Sequence, residues 1–578
     1  MEENSSYFEK KEANHEHKIN KKLIYALLIG LIIFGVVFRI LSLNKDITGE
    51  EPDFVNPAIA IIQTGHPRFY QSEQIPHQLA LWHPPMYIYF LSLIARLSTS
   101  EIALRGLNFI FSILTAGIIF LFCIRINKEK GKQIGLLSAA LFLINYYVFS
   151  SSLLIDIDVL SMFFVFSFFY LVFSYHKTQR INFAVLASLS FLFSLANRYP
   201  IAIITFLSVG VYFFVKKETR RFTWNYFLIG LIGGLIFLSI WTFYSTIIEP
   251  GTFFSFIEHN AKLGAAQFSS FSLYISSFFL NISQITRLFT IPAVILFIGA
   301  FFYFIKRKEE YIRILLIYCL SIFLLFVIDP RPAFGYPRYF LTMMPAFFIL
   351  ISLFLYESLI WEKIKRRYTL FAFLMFLITM SLLLIINPQA TIYRNDGLIM
   401  STNLPDLIFN LVCISPIFLV LLFRHEQRKL VLILGLIAVL LSYNLYFDVK
   451  YVLNDSHIKE AGLYLKENTN SSDIVLCPKA VGYYYGGKFY MNDFYRPPLN
   501  RISKQFITRY ILESINNSKM NDQFFWGDDI YGGIYYSGEI KPYQEMYESK
   551  YIVINYLRSD MKPEKIIGNY FIYRMESI

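Results

Sequence analysis

Charged residues are scarce in this sequence. Of its 578 residues only 16% are charged, whereas 56% are hydrophobic and 18% are aromatic. A soluble chain of this length could not cover so much apolar surface with polar side chains, so we predict an integral membrane protein. The net charge of +12 does not indicate a nucleic-acid partner, because the basic residues are scattered between apolar runs. Basic residues placed between apolar runs are instead typical of loops that face an anionic membrane leaflet.

Cysteine is also rare. Cys123, Cys319 and Cys413 lie in apolar runs, and Cys477 is the one cysteine in a polar region. No outer pair can form a disulfide, and no Cys/His spacing is typical of a zinc site. Walker-type loops, dinucleotide fingerprints, solenoid repeats and low-complexity linkers are absent as well. These absences exclude a nucleotide-driven pump and a Rossmann cofactor, and we predict no cofactor.

Long apolar runs recur from residue 22 to about residue 448. Most have the roughly 17–25 residues that a helix needs to cross a membrane. No small-residue cleavage site follows the first run, so we interpret it as a retained span. We predict an all-α polytopic domain over residues 22–448 with about thirteen transmembrane helices, after a cytoplasmic tail over residues 1–21. The predicted spans are 22–43, 102–126, 133–151, 154–175, 182–197, 199–216, 224–247, 290–305, 311–328, 338–360, 369–386, 404–423 and 429–447.

Basic residues concentrate in every second loop between these spans. Because basic loops stay on the cytoplasmic side, the alternate loops, including the loop at 44–101, are predicted to face outside. This alternation requires that Leu79–Leu97 does not cross the membrane. Its Trp82 and Tyr87, next to two prolines, suit a helix that lies at the membrane interface. The basic loops are 125–132, 177–180, 216–221, 306–308, 363–367 and 424–429.

From residue 449 the composition becomes polar. The segment HIKEAGLYLKENT predicts an amphipathic helix, and DIVLCP, KYIVINY and NYFIYRM predict strands. We therefore predict a small extracytoplasmic α/β domain over residues 449–578. Tyr483–Tyr485, beside two glycines, are interpreted as a strand and turn, with stacking on a sugar as the alternative.

Two groups of acids lie at the predicted outer ends of the spans. Glu50, Glu51 and Asp53 follow the first span, and Asp156 and Asp158 begin a later one. Carboxylates at such positions are either solvated or functional. Asp156 and Asp158 are two positions apart and cannot share one helix face, so at most one is expected to point into a site with the first group. The alternatives are a solvated loop for the first group and helix capping for the second.

Few basic residues lie at the predicted outer face. Lys and Arg concentrate in the cytoplasmic loops of membrane proteins, so each basic residue on the outer side needs a specific reason. These residues are Arg198, Lys262, Arg287, Arg331 and Arg338. An arginine at this depth either extends to lipid headgroups or binds a phosphate with two parallel hydrogen bonds. We assign the first role to Arg287 and phosphate binding to Arg198 and Arg338.

Several short motifs follow one another in a recognisable order. They are Glu50-Glu51, Ala58, Gly65, His83-Pro84-Pro85-Met86, Ser100-Glu101 with Arg105, Asp158 with Phe163 and Phe164, Arg198-Tyr199-Pro200, and Arg338-Tyr339 followed by Pro345. This order resembles the C superfamily of polytopic membrane glycosyltransferases (GT-C), which includes protein O-mannosyltransferases and the lipid A aminoarabinose transferase. The chain departs from the family at Glu50, where the usual acid is Asp. Glu50, Glu51 and Asp53 therefore all stay candidates for the reacting carboxylate.

The resemblance implies a polyprenyl-phosphate-linked sugar donor and a lipid, glycan or protein acceptor. Transfer would occur with inversion at the outer face of what we expect to be a bacterial plasma membrane. The catalytic candidates are Glu50, which matches the general base, together with Glu51 and Asp158. Oxygen ligands alone can hold a divalent metal, but no third acid converges on the site, and we predict no metal. The substrate-binding candidates are Asp53, His83, Asp156, Arg198, Lys262, Arg338 and Tyr339.

Two other functions compete with this interpretation. A transporter or flippase of a lipid-linked or anionic substrate would use similar intramembrane charges. Such proteins often carry internal repeats, which are not visible here, and the acids lie at the outer interface and not at the bilayer midplane. A non-catalytic assembly subunit is the third possibility, and the presence of both acidic groups and the basic Arg-Tyr motif argues against it.

Overall fold

The structure is a computed structural model of the full chain. It describes residues 21–48, 51–67, 84–127, 130–215, 220–248, 289, 291–305, 307, 309–328, 337–357, 435, 437, 457–470, 473–477, 479–486, 488–491, 551–554, 563–567 and 570–574.

Helices dominate the part of the chain before residue 358. Among the helices long and apolar enough to cross a membrane, α7 and the stretch that contains α12 are the most deeply buried. A π-helical turn at Tyr244–Ile248 follows α9, and a 3₁₀ helix at Pro337–Met343 precedes α12. The α-helices are α1 Lys21–Ser42, α2 Pro52–Thr64, α3 Met86–Leu97, α4 Glu101–Ile126, α5 Gly131–Ile144, α6 Tyr146–Ser152, α7 Ile157–Thr178, α8 Ile181–Val215, α9 Arg220–Phe243, α10 Ile291–Phe304, α11 Glu310–Ile328 and α12 Met344–Glu357.

Six helical stretches in the described residues are long and apolar enough to cross a membrane, and the bent pair α5–α6 would make a seventh. The all-α polytopic prediction is thereby confirmed. The predicted spans 369–386 and 404–423 lie outside the described residues, as does almost all of 429–447. The total of about thirteen and the domain boundaries stay predictions.

The predicted span 133–151 corresponds to a bent pair of helices and not to one straight helix. It is broken at Asn145 into α5 and α6, which meet at 66°. The Asn145 side chain accepts hydrogen bonds from the backbone of Tyr147 and Val148, at 3.1 and 3.2 Å, and so caps α6. At the end of α5, the Leu143 carbonyl accepts a hydrogen bond of 2.8 Å from the buried Arg39 of α1. Because a helix break releases backbone groups, these partners allow it inside the bundle.

The predicted spans 182–197 and 199–216 correspond to the two halves of α8. The halves meet at Arg198, whose backbone is not helical (φ −147°, ψ 76°). Pro200 follows, and its ring removes a donor and obstructs a continuous helix. The rings of Phe191 and Phe206 are 4.7 Å apart, whereas one straight helix would separate these positions by about 22 Å. The two halves therefore pack side by side, and Arg198 lies at the turn between them.

Contacts bring together the ends of α4, α7, α8 and α11 that adjoin the predicted cytoplasmic loops 125–132, 177–180 and 306–308. Arg125 lies over the ring of Phe183, 5.2 Å from its centroid. His176, near the end of α7, lies 3.4 Å from Glu310 at the start of α11. The start of α7, the turn at Arg198 and the outer loop lie at the opposite end.

Two short helices, α2 and α3, fill the outer loop. The rings of Phe54 and Tyr87 meet edge to face, 5.5 Å apart. With 12 residues, α3 is about 18 Å long, too short to cross a hydrocarbon core of about 30 Å. That Leu79–Leu97 does not cross stays a prediction, because residues 79–83 lie outside the described residues.

The described part of the C-terminal region is α/β. Its elements are α13 Ile458–Asn468, β1 Ile474–Cys477, α14 Lys479–Tyr485, β2 Lys488–Met491, β3 Tyr551–Ile554, β4 Lys565–Ile567 and β5 Tyr570–Arg574. The sheet order is β2-β1-β3-β5-β4, with β1 parallel to β2 and β3, and β5 antiparallel to β3 and β4. The helix at α13 and the strands β1, β3 and β5 were predicted. The strand expected at Tyr483–Tyr485 was wrong, because these residues belong to α14.

Candidate active site

Glu51 joins three separate segments at the outer end of the bundle. It directly precedes α2, and its side chain is 1% exposed. One carboxylate oxygen accepts hydrogen bonds from Arg105 Nε (3.2 Å) and the Ile155 backbone N–H (3.0 Å). The other accepts from Arg105 Nη2 (2.6 Å) and the Thr48 backbone N–H (2.8 Å). Each oxygen therefore accepts two hydrogen bonds, which leaves little capacity to receive a proton from a substrate.

Arg105 organises the chain that leads out of the first span. It is completely buried in α4. Besides Glu51, it donates to the backbone carbonyls of Leu43 (3.3 Å), Lys45 and Asp46 (2.7 Å). Removing one partner of such a buried pair costs about 3–5 kcal/mol, because the other charge is left without compensation.

Asp158 and Arg198 form a second buried ion pair. Asp158 lies in the first turn of α7, Arg198 lies at the turn of α8, and their side chains are 5% and 7% exposed. Arg198 lies at the break in α8, where its backbone is not helical, and from there it pairs with Asp158 of α7. The pairing of these two residues was not predicted, although each was a candidate.

Asp156 occupies the N-cap position of α7 in an extended conformation (φ −152°, ψ 155°). Its carboxylate makes no hydrogen bond to the described first turn, so the capping alternative is not what is seen. Its backbone carbonyl accepts a 2.7 Å hydrogen bond from Asn108 of α4. Asp156 and Asp158 are both buried, and Asp158 pairs with Arg198.

Tyr87 of α3 lies near both acidic groups. Burial, and then the negative charges of Asp156 and Glu51, raise the pKa of Tyr87 well above its usual value, although Asn108 and the Asp156 backbone act in the opposite direction. Its hydroxyl therefore stays protonated close to both carboxylates. The sequence carried no signal for this role, because aromatic residues are common at membrane interfaces.

Arg39 and Arg105 are buried and bond to residues of other segments, which was not predicted although the sequence indicated it. Each is a charged residue within or at the end of a strongly apolar run, which is in itself an indication of a specific partner. The partners lie far away in the sequence, so they could not be named from it.

The other predicted residues are placed less completely. Asp53 lies in the first turn of α2 and is partly exposed. The backbone of Arg338 and Tyr339 belongs to the 3₁₀ helix before α12. Glu50, His83 and Lys262 lie outside the described residues. Within the described residues, no group of three or more His, Cys, Asp or Glu side chains is arranged to hold a metal ion.

Residues 82–244 match the family model described as dolichyl-phosphate-mannose-protein mannosyltransferase. The matched segment contains Arg105, Asp156, Asp158 and Arg198. No curated protein sequence is significantly similar to the chain.

Two solved structures of ArnT from Cupriavidus metallidurans share the fold. The one bound to undecaprenyl phosphate is 12% identical with a TM-score of 0.63, and the apo form is 11% identical with a TM-score of 0.55. Each comparison covers 95% of this chain and 97% of the other. The chain is therefore an integral membrane protein with the fold of ArnT, and its residues 82–244 match a protein mannosyltransferase family model.

Proposed function

We propose that this protein transfers a sugar from a polyprenyl-phosphate-linked donor to an acceptor at the outer face of the membrane. The observation that carries the proposal is the buried Asp158–Arg198 pair, which lies within the matched glycosyltransferase domain at the end of the bundle that holds the acidic outer loop. The ArnT structure of the same fold holds undecaprenyl phosphate, which supports a lipid phosphate as the group that is bound.

Arg198 is proposed to hold the phosphate of the donor. A guanidinium stays charged and binds phosphate oxygens with two parallel hydrogen bonds. Asp158 orients Arg198, because the two side chains are paired and both are buried. Arg338 and Lys262 are proposed to add positive charge. Together these groups would stabilise the charge that develops on the leaving phosphate as the glycosidic bond breaks.

Glu50 is proposed as the general base. Glu51 is the weaker candidate, because Arg105 and two backbone N–H groups already occupy both of its oxygens. The acceptor oxygen would bond to the anomeric carbon, its proton would pass to Glu50, and polyprenyl phosphate would leave on the opposite face with inversion. If the acceptor is itself a phosphate, no base is needed, and Glu50 would instead orient the sugar.

The membrane and its side are part of the proposal. The basic loops at one end of the bundle are proposed to be cytoplasmic. The acids and Arg198 would then face the outside of a bacterial plasma membrane, and the domain at 449–578 would lie on that same side. A lipid, glycan or protein acceptor would approach from there.

The test is transfer of labelled sugar from a panel of polyprenyl-phosphate donors into a membrane extract by the purified full-length protein. Wild type, Glu50→Gln and Asp158→Asn are compared with a surface variant in Leu79–Leu97 as a folding control. Transfer by wild type and by the control, but not by the two folded acid variants, would support the proposal. Movement of a lipid-linked sugar across vesicles without transfer would favour a transporter instead.

A further inference from the structure

Tyr484 of the C-terminal region contacts the outer loop. The hydroxyl of Tyr484, on α14, accepts a hydrogen bond from the Ile47 backbone N–H (2.7 Å) and donates to Glu101 Oε1 (3.0 Å). Its ring packs against the apolar residues of the outer loop and also against those of the C-terminal region. Tyr484 therefore belongs to both parts of the molecule.

Lys459 of α13 adds a second connection to the same place. Its ammonium group donates to Glu101 Oε1 (2.8 Å), and its backbone N–H donates to Asp46 Oδ2 (3.1 Å). The ammonium also lies 5.6 Å from the centroid of the Tyr484 ring. We refer to Tyr484, Lys459, Glu101, Asp46 and Ile47 as the docking contact.

The docking contact holds the segment that leads from the first span to Glu50 and Glu51. Arg105 holds the carbonyls of Leu43, Lys45 and Asp46 from inside the bundle. Tyr484 and Lys459 hold Ile47 and Asp46 from the C-terminal side. The segment has no regular secondary structure, so these side chains take the place of the backbone bonds that would otherwise fix its path.

We propose that Tyr484 and Lys459 are positioning residues, through which the C-terminal region holds Asp46 and Ile47 and so sets the place of the adjoining acids for transfer. The inference rests on the proposed function, in which Glu50 is the base. Burial and the charge of Glu101 raise the pKa of Tyr484, so its hydroxyl stays protonated and keeps donating at physiological pH.

Tyr485 offers a matched control. It is the next residue, it is also a tyrosine, and its hydroxyl donates to the Asp473 carbonyl (3.1 Å) within the C-terminal region. Tyr484→Phe and Tyr485→Phe each remove one hydroxyl and keep the ring. Only the first removes a bond to the outer loop.

The experiment measures sugar transfer and hydrogen exchange on the full-length protein. Tyr484→Phe is expected to lower kcat about tenfold through misplacement of the base, with the KM for the donor unchanged within about twofold. Exchange of a peptide covering residues 43–51 should rise in Tyr484→Phe and not in Tyr485→Phe. The single variants Lys459→Glu and Glu101→Lys should each transfer sugar more slowly than wild type. The double variant should recover transfer, because the two charges are then exchanged and can pair again.

Wild-type kcat in Tyr484→Phe, or equal effects of Tyr484→Phe and Tyr485→Phe, would overturn the inference. If wild type transfers no sugar from any donor, the proposed function fails. The comparison of hydrogen exchange then tests by itself whether the docking contact holds residues 43–51. Unchanged exchange in Tyr484→Phe would overturn that inference.

Discussion

Glu51 and Glu50 are neighbours in the chain, but Glu51 has a structural role in the described part of the molecule. Its carboxylate is buried and holds Arg105 and two backbone N–H groups. An amide in its place keeps the shape and loses the charge that compensates Arg105. The two positions can therefore be separated by experiment, because one is expected to affect folding and the other chemistry.

We expect Glu51→Gln to lower the free energy of unfolding by about 3–5 kcal/mol, since it leaves a buried guanidinium without a counter-charge. Glu50→Gln should leave thermal unfolding in detergent unchanged and lower kcat about 10²- to 10⁴-fold, as loss of a general base does. Gln63→Ala, at an exposed position of α2, is the control and should do neither. A stable but inactive Glu51→Gln would instead make Glu51 the base.

Arg198 and Asp158 allow a second prediction at this scale. We expect Arg198→Lys to weaken donor binding although the charge is kept, because an ammonium cannot make two parallel bonds to phosphate. Titration with polyprenyl phosphate measures the effect. A double-variant cycle of Arg198→Ala and Asp158→Asn should show coupling of about 0.5–3 kcal/mol, and additive effects would contradict the proposed orienting role.

At the scale of elements, the site depends on interruptions of helices. The turn within α8 presents Arg198, and the break between α5 and α6 is supported by Arg39 and Asn145. Close packing of α8 against α9 holds the two halves of α8 on either side of the turn at Arg198. A carbon added at Gly233 of α9 would lie 2.5 Å from the Ser188 backbone carbonyl, whereas one at Gly234 would meet nothing within 4 Å.

These adjacent glycines make a matched test. Gly233→Ala should lower the free energy of unfolding by about 1–3 kcal/mol, because the backbone of α8 must move to admit the methyl group. Gly234→Ala should be neutral or stabilising by up to about 1 kcal/mol, as in an exposed helix interior. Thermal unfolding in detergent compares them. Equal effects of the two substitutions would contradict the packing of α8 on α9.

At the scale of the whole molecule, the described acids, Arg198 and the described C-terminal residues that contact the outer loop share one end of the bundle, and the helix ends beside the basic loops 125–132, 177–180 and 306–308 share the other. We expect cysteines introduced at the exposed positions Gln63 and Lys466, in a background without native cysteines, to react with an impermeant maleimide in intact cells. A cysteine at the exposed Arg180 should react only after permeabilisation. The reverse pattern would place the site on the cytoplasmic side.

Much of the fold was predictable because it depends on local properties. The lengths of apolar runs predicted most of the helices, and the charges of the loops predicted which helix ends lie together. The break at Asn145 was not predicted. It interrupts a run that stays apolar throughout, and it depends on Arg39 from another helix.

The sequence by itself determined that this is a membrane protein, where its described spans lie, and which motifs it shares with a glycosyltransferase superfamily. These follow from composition, periodicity and the order of residues. Only the tertiary structure decided that Glu51 pairs with Arg105, that Asp158 pairs with Arg198, and that Tyr484 meets Ile47 across 437 positions of sequence. Such pairings depend on how helices pack and turn, since a side chain reaches only a few ångströms from its own backbone.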